Sequence, residues 1–113
     1  MSKRRGVTEF LTVFQSDSQI FFDAESDLLI CLDANGCILR VNPAFERILG
    51  YSEASVLGTP ISNLMLADDL KSTSNMPRLL HKGAGLVTVS MIDYRYKNTD
   101  AGKRWYLILR QGG

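Results

Sequence analysis

Asp27-Leu28-Leu29-Ile30-Cys31-Leu32-Asp33-Ala34-Asn35-Gly36-Cys37-Ile38-Leu39-Arg40-Val41-Asn42-Pro43-Ala44-Phe45 is the stretch whose reading decides the fold. Leu28 to Leu32 is an apolar run that stops at Asp33, as a buried strand does. Asn35-Gly36 supplies the positive φ angles that a tight hairpin needs. Cys37 to Val41 then predicts a second strand, with Arg40 pointing outward. Asn42 is a good helix N-cap, and Pro43 at the first helical position forfeits no hydrogen bond. Phe45, Ile48 and Leu49 recur at helical spacing, and Gly50 ends the helix.

Beyond Gly50 the pattern stays helical for a while. Tyr51-Ser52 begins a second short helix, with Ser52 as N-cap and Ser55 at the third position. Val56 and Leu57 are its apolar residues and Gly58 its stop. Thr59-Pro60 predicts a third, with Ile61, Leu64 and Met65 on one face. Ala67 to Asn75 is polar and predicts a loop or a single frayed turn. From Met76 the apolar period becomes two. Pro77 to Lys82 is a short strand, confined by Pro77 to an edge or to starting there. Lys82 to Gly85 turns the chain. Leu86 to Lys97 is a long strand in which Val87, Val89 and Met91 alternate with Thr88, Ser90 and Ile92. Asn98 to Gly102 is a turn, and Arg104 to Gln111 the last strand. That strand is apolar on both faces, Trp105, Leu107 and Leu109 against Tyr106 and Ile108, which predicts a central position.

Strands and helices are thus segregated, which predicts an α+β fold with an antiparallel sheet. Three short helices cover one face of it. The other is wet, or is covered by the N-terminal helix or by a second subunit. Toward the N-terminus, Phe10, Leu11, Phe14, Phe21 and Phe22 suit one or two short amphipathic helices within Thr8–Asp23, Asp17 capping the second. A helix this short is marginal alone and must dock on something. It docks on the domain's own sheet, or Phe10, Leu11 and Phe14 form a dimer face. The division this implies is an N-terminal tail and flanking helix over 1–23 and one domain over 24–113.

Composition bounds the function. The chain has 113 residues, 45% hydrophobic and 22% charged, with a formal net charge of +1. That is one ordinary globular domain, with no field calling for nucleic acid or an anionic membrane. Lys3, Arg4 and Arg5 read as a solvated tail. No apolar run reaches transmembrane length and no signal peptide precedes the domain, so the expected location is cytoplasmic. Cys31 and Cys37 have no CxxC spacing, and one histidine cannot complete a zinc site with them. A reduced pair is expected, although a bridge between the paired strands is conceivable.

Taken together, the acidic-x-Asn-Gly turn from Asp33, Val41-Asn42-Pro43-Ala44-Phe45, Ile48-Leu49-Gly50-Tyr51-Ser52 and Leu57-Gly58 resemble the first half of a PAS sensor domain. The resemblance spans about Asp27 to Gln111 and is most specific up to Gly58. It implies a five-stranded antiparallel sheet, short helices on one face and a flanking N-terminal helix. Two registers fit the second half. One extends a connecting helix to His81 and leaves the sheet without a central strand. The other makes Met76–His81 the third strand, and is preferred because it leaves no backbone unpaired. The resemblance also implies a signalling role: sensing a small molecule or a protein partner and relaying a change to a histidine kinase or diguanylate cyclase effector. That effector is expected outside this chain, since Arg110 is followed only by Gln111-Gly112-Gly113 where the family often runs Arg-Asp-Ile-Thr. A ligand-free dimerisation module is the alternative.

Each cofactor the family uses makes a demand on the residues. A haem sensor of this kind needs a histidine on the connecting helix, and His81, the only one, falls on a strand near a turn. The photoactive flavin type needs an Asn-Cys-Arg helix motif, which is absent. No cofactor is therefore predicted, and a small apolar ligand stays open. Its lining would be Phe45, Ile48, Leu49, Leu64, Met65 and Met91, which a filled core uses equally well. No catalytic or metal site emerges: one histidine argues against a Ser-His-Asp set, Gly83-Ala84-Gly85 lacks the Lys-Ser of a phosphate loop, and Asp68-Asp69 suits a solvated turn. Tyr94-Arg95-Tyr96-Lys97 alternates faces on a strand and makes no nucleic-acid platform, but suits a protein interface. The expected partners are a second copy, through Phe10, Leu11, Phe14 and the sheet face, and an effector.

Overall fold

The computed structural model describes residues 25–65, 78–83 and 85–112. Five strands, β1 (Asp27–Asp33), β2 (Ile38–Val41), β3 (Arg78–Leu80), β4 (Leu86–Thr99) and β5 (Gly102–Gln111), form one sheet in the order β2-β1-β5-β4-β3. All neighbouring pairs are antiparallel. The last strand in sequence lies in the middle, as its two apolar faces predict. Between β2 and β3 come helix α1 (Pro43–Leu49), helix α2 (Glu53–Val56) and a 3-10 turn (Ile61–Leu64). The fold is the expected α+β arrangement with short helices on one face. Met76–Pro77, the loop Ala67–Asn75 with Asp68-Asp69, and the N-terminal Phe10, Leu11 and Phe14 lie outside the described residues.

Several local readings change. The first hairpin turn does not put Asn35 at positive φ; only Gly36 is left-handed there, at +82°. Asp33 takes over the work instead. Its Oδ1 accepts from the N–H groups of Asn35 and Cys37, both at 2.9 Å, and closes the turn from the side chain. The third helix is a single 3-10 turn, because only four residues separate Pro60 from the extended Met65. Strands β4 and β5 run to Thr99 and Gly102, so the second turn shrinks to Asp100-Ala101. The short third strand spans Arg78–Leu80, and the long fourth one carries a register shift between Met91 and Asp93. That bulge places both Ile92 and Asp93 on the side away from the helices, and returns Tyr94 to the helix side.

The core has two parts. On the helix side Leu28, Ile30, Leu32, Ile38, Val41, Leu79, Val89 and Leu109 of the sheet pack with Phe45, Leu49, Val56 and Leu64. On the outer side Leu29, Cys31, Tyr106 and Ile108 form a second buried cluster, flanked by Leu39 and Ile92. Burying a Leu, Ile or Phe side chain contributes about 1.5–3 kcal/mol, so the first cluster supplies most of the described drive to fold.

Candidate functional site

Helix α1 holds the centre of the helix-side core, and its start is fixed by one asparagine. Asn42 is 1% exposed. Its Oδ1 caps α1 by accepting from Phe45 N–H at 3.1 Å, and also accepts from Leu29 N–H at 3.0 Å. Its Nδ2 donates to the Asp27 carbonyl at 2.8 Å. One amide therefore satisfies three backbone groups and locks α1 onto β1. Ser52 caps α2 by accepting from Ser55 N–H. Two carboxylates then join the helices to the sheet: Glu46 accepts from Glu53 N–H at 2.7 Å, and Glu53 accepts from Val41 N–H at 2.9 Å.

The same region reaches the far end of the chain. Asp27 is buried, and its carboxylate receives two parallel bonds from Arg110, Nε to Oδ1 and Nη2 to Oδ2, both at 2.9 Å. A bidentate pair of this kind fixes orientation as well as charge. Arg110 stands at the end of β5, opposite Asp27 in the ladder. Helix α1, the start of β1 and the end of β5 are thus linked by a continuous run of hydrogen bonds. Sequence reasoning missed this link. A charged residue opening the strongly apolar β1 was the available signal.

All six residues expected to line a ligand site fall in or against the helix-side cluster. Phe45, Leu49 and Leu64 are buried in it, and Ile48, Met65 and Met91 pack against it half-buried. Tyr51 adds a ring 6.5 Å from Phe45. The far end of the β4–β5 hairpin carries an aromatic group that the sequence did not bring together. Trp105 lies between Tyr96, at 4.7 Å, and Tyr94, at 5.7 Å. Tyr94 and Tyr96 share a face there, while Arg95 opposes Tyr106 on the other, as alternation requires.

His81 follows β3 in a turn, where its Nδ1 accepts from Gly83 N–H at 2.9 Å. Its ring lies close to Gly50, at the C-terminal end of α1. Cys31 and Cys37 are both free thiols. Among the described residues no three His, Cys, Asp or Glu side chains gather as metal ligands, and no helix is long and apolar enough to cross a membrane.

Solved structures share this architecture. The chain is similar to the PAS domain of an HTR-like protein from Haloarcula marismortui, with 23% identity over 94% of this chain and 97% of that one, at a TM-score of 0.63. It is similar to a PAS domain from a two-component sensor histidine kinase, with 16% identity over 96% and 100% and a TM-score of 0.66. A fungal LOV domain photoreceptor matches with 14% identity over 99% and 95% and a TM-score of 0.69. At these identities the likeness concerns the fold. No curated protein sequence matches the chain. The family model described as PAS domain matches residues 26–111. With that match over most of its length, and with the strand order and capped helix described above, the chain belongs to the PAS domain family.

Proposed function

We propose that this domain is a signal-sensing module that binds a small apolar ligand or a protein partner and relays a change of packing to an effector outside this chain. The observation that carries the reading is the hydrogen-bonded link from α1 through Asn42 and Asp27 to Arg110. A ligand among Phe45, Ile48, Leu49, Leu64, Met65 and Met91 would press on α1. Any displacement of α1 strains the Asn42 bonds to β1, and through Asp27 the end of β5. Only a ligand that binds the two packings unequally can shift them. The effector is of the histidine kinase or diguanylate cyclase type, and the catalysis belongs to it. The setting is cytoplasmic.

A second reading is ligand-free assembly. Two copies would meet through Phe10, Leu11, Phe14 and the outer sheet face. Native mass spectrometry with a ligand-dependent melting screen separates the readings. Sensing predicts a retained small molecule, or a rise in Tm with at least one apolar compound. At a hundredfold excess over Kd the stabilisation is about 2.7 kcal/mol. A dimer with no added mass and no responsive compound would overturn sensing in favour of assembly. A visible haem or flavin band in the purified protein would overturn the choice of an apolar ligand.

A further inference from the structure

Strand β4 outruns its neighbour on one side and leaves a length of edge over. β5 pairs with it from Val89 to Thr99. On the other edge β3 reaches only Leu86, Val87 and Thr88. Among the described residues no strand pairs with that edge beyond Thr88. Val89 is buried, but past the bulge the strand comes out into solvent: Tyr94 and the run from Tyr96 to Thr99 are exposed. At about 3.4 Å per residue, Tyr94–Thr99 offers roughly 20 Å of edge backbone. Such an edge is a template for another chain unless charge, proline or a bulge blunts it. Here the bulge lies ahead of the exposed part, and that part carries two exposed tyrosines.

The side chains along this edge divide by face. Tyr94 and Tyr96 lie on the helix side, where both rings approach Trp105. Asn98 and Lys103 oppose one another, two residues from Tyr96 and from Trp105, so alternation puts them on that face too. Lys97 opposes Arg104 on the other face. Lys97, Asn98 and Lys103 are exposed. Charge is concentrated here. Tyr94–Trp105 holds Arg95, Lys97, Lys103 and Arg104 against one acidic residue, Asp100, in a chain whose net charge is only +1. Tyrosine, tryptophan and arginine are the residues that anchor protein interfaces, and an open sheet edge is a known way of holding an extended peptide. A nucleic-acid strand could use the rings and the cations, but it cannot continue the ladder. The open edge therefore favours a peptide, and the charge favours an acidic one.

We propose that the edge of β4 from Tyr94 to Thr99 takes up an extended acidic segment of a partner protein as an added strand. The segment's backbone continues the ladder, and its side chains go to the two faces in turn. Those on the helix side lie beside Tyr94 and Tyr96 and are apolar. Those on the outer side lie beside Lys97 and are acidic. The site is apart from the helix-side core and stands whether or not that core holds a ligand.

The test uses the full chain and a synthetic peptide of alternating valine and glutamate, with alternating valine and lysine as its control. Binding of the acidic peptide is expected to move Trp105 emission to shorter wavelength and to slow amide exchange within Tyr94–Thr99 as the edge becomes paired. Lys97→Glu combined with Lys103→Glu is expected to weaken binding about tenfold, because it sets like charges across the contact. If that variant does not fold, Tyr96→Ala, with the same expected loss, decides in its place. No binding of the acidic peptide at millimolar concentration overturns the proposal. So does equal binding of the two peptides, or an unchanged affinity in the folded variant. Binding without slowed exchange at Tyr94–Thr99 overturns strand addition. A single-stranded oligonucleotide that shifts Trp105 emission where the acidic peptide does not assigns the surface to nucleic acid, and overturns the proposal as well.

Discussion

The two halves of the domain are held by different means. From Asp27 to Gly58, nearly every turn and helix start is closed by a nearby side chain: Asp33 closes the hairpin, Asn42 and Ser52 cap the helices, and Glu46 and Glu53 stitch them to each other and to β2. From Arg78 to Gln111 the structure rests on ladder pairing between two long strands and on the rings around Trp105. The first half is fixed by short-range bonds that leave few alternatives. The second half is set by register, which pairs residues distant in sequence and can tolerate a bulge such as that at Met91–Asp93. The relay proposed above would draw on both, a fixed frame at one end and a hairpin set by register at the other.

Asn42 is where this contrast is most exposed to test. Replacing it with alanine removes the cap of α1 and strands Leu29 N–H and the Asp27 carbonyl in a buried place. Loss of a cap costs about 1 kcal/mol, and each stranded buried group about 1–3 more, not fully additively. Asn42→Ala is expected to lose about 3 kcal/mol in urea unfolding. Asn42→Asp keeps the capping acceptor but sets a buried carboxylate oxygen against the Asp27 carbonyl, so at neutral pH it should not rescue the loss. A loss below 1 kcal/mol for alanine would mean that the first half is not held by this amide, and the contrast between the halves would fail.

What could be read from the sequence follows the same division. Asn42-Pro43 announces a helix start because cap and proline act on their own backbone within three residues, and Ser52 does so again. The strand order was legible for β5, since Trp105, Leu107 and Leu109 against Tyr106 and Ile108 leave no wet face. The burial of Phe45, Leu49 and Leu64 was legible through their spacing, while Ile48, Met65 and Met91 are only half-buried beside them. The Asp27–Arg110 pair was not, because the partners are 83 apart in sequence and only the ladder brings them together. Nor was the bulge, which moves Tyr94 and Tyr96 onto Trp105 without any local sign. Asn35 misled for a related reason: Asn-Gly favours two positive φ angles, but Asp33 bonding ahead to Asn35 and Cys37 holds a turn that needs only one.

Gly50 lies where the halves meet, and a pair of alanine variants sharpens the comparison there. Gly50 and Gly36 both have left-handed backbones, with φ of +85° and +82°. A side chain in that conformation costs about 1–2 kcal/mol. A Cβ at Gly36 meets nothing within 4 Å, whereas one at Gly50 comes to 3.3 Å from the His81 ring and 3.4 Å from Lys82 Cβ. Lys82 N–H also donates to the Leu49 carbonyl at 2.8 Å, tying the β3–β4 turn to the end of α1. Gly36→Ala should therefore lose about 1 kcal/mol and Gly50→Ala about 2. Equal losses in thermal unfolding would show that His81 yields freely and that the joint between the halves is loose.

The smallest effect is expected at the hairpin tip. Tyr94 is 56% exposed and Tyr96 42%, and both rings approach Trp105. Aromatic pairs contribute about 0.5–1.5 kcal/mol, and exposure puts Tyr94 at the low end. Tyr94→Ala should lose about 0.5 kcal/mol. Trp105 is the only tryptophan in the chain, so its emission reports on this cluster alone. Truncating Tyr94 uncovers one side of the indole, and the emission should move to longer wavelength while the urea midpoint barely shifts. Asn42→Ala should do the reverse, lowering the midpoint while leaving native emission unchanged. If Tyr94→Ala instead costs as much as Asn42→Ala, the tip is part of the frame, and a second half set by register is the wrong description of the domain.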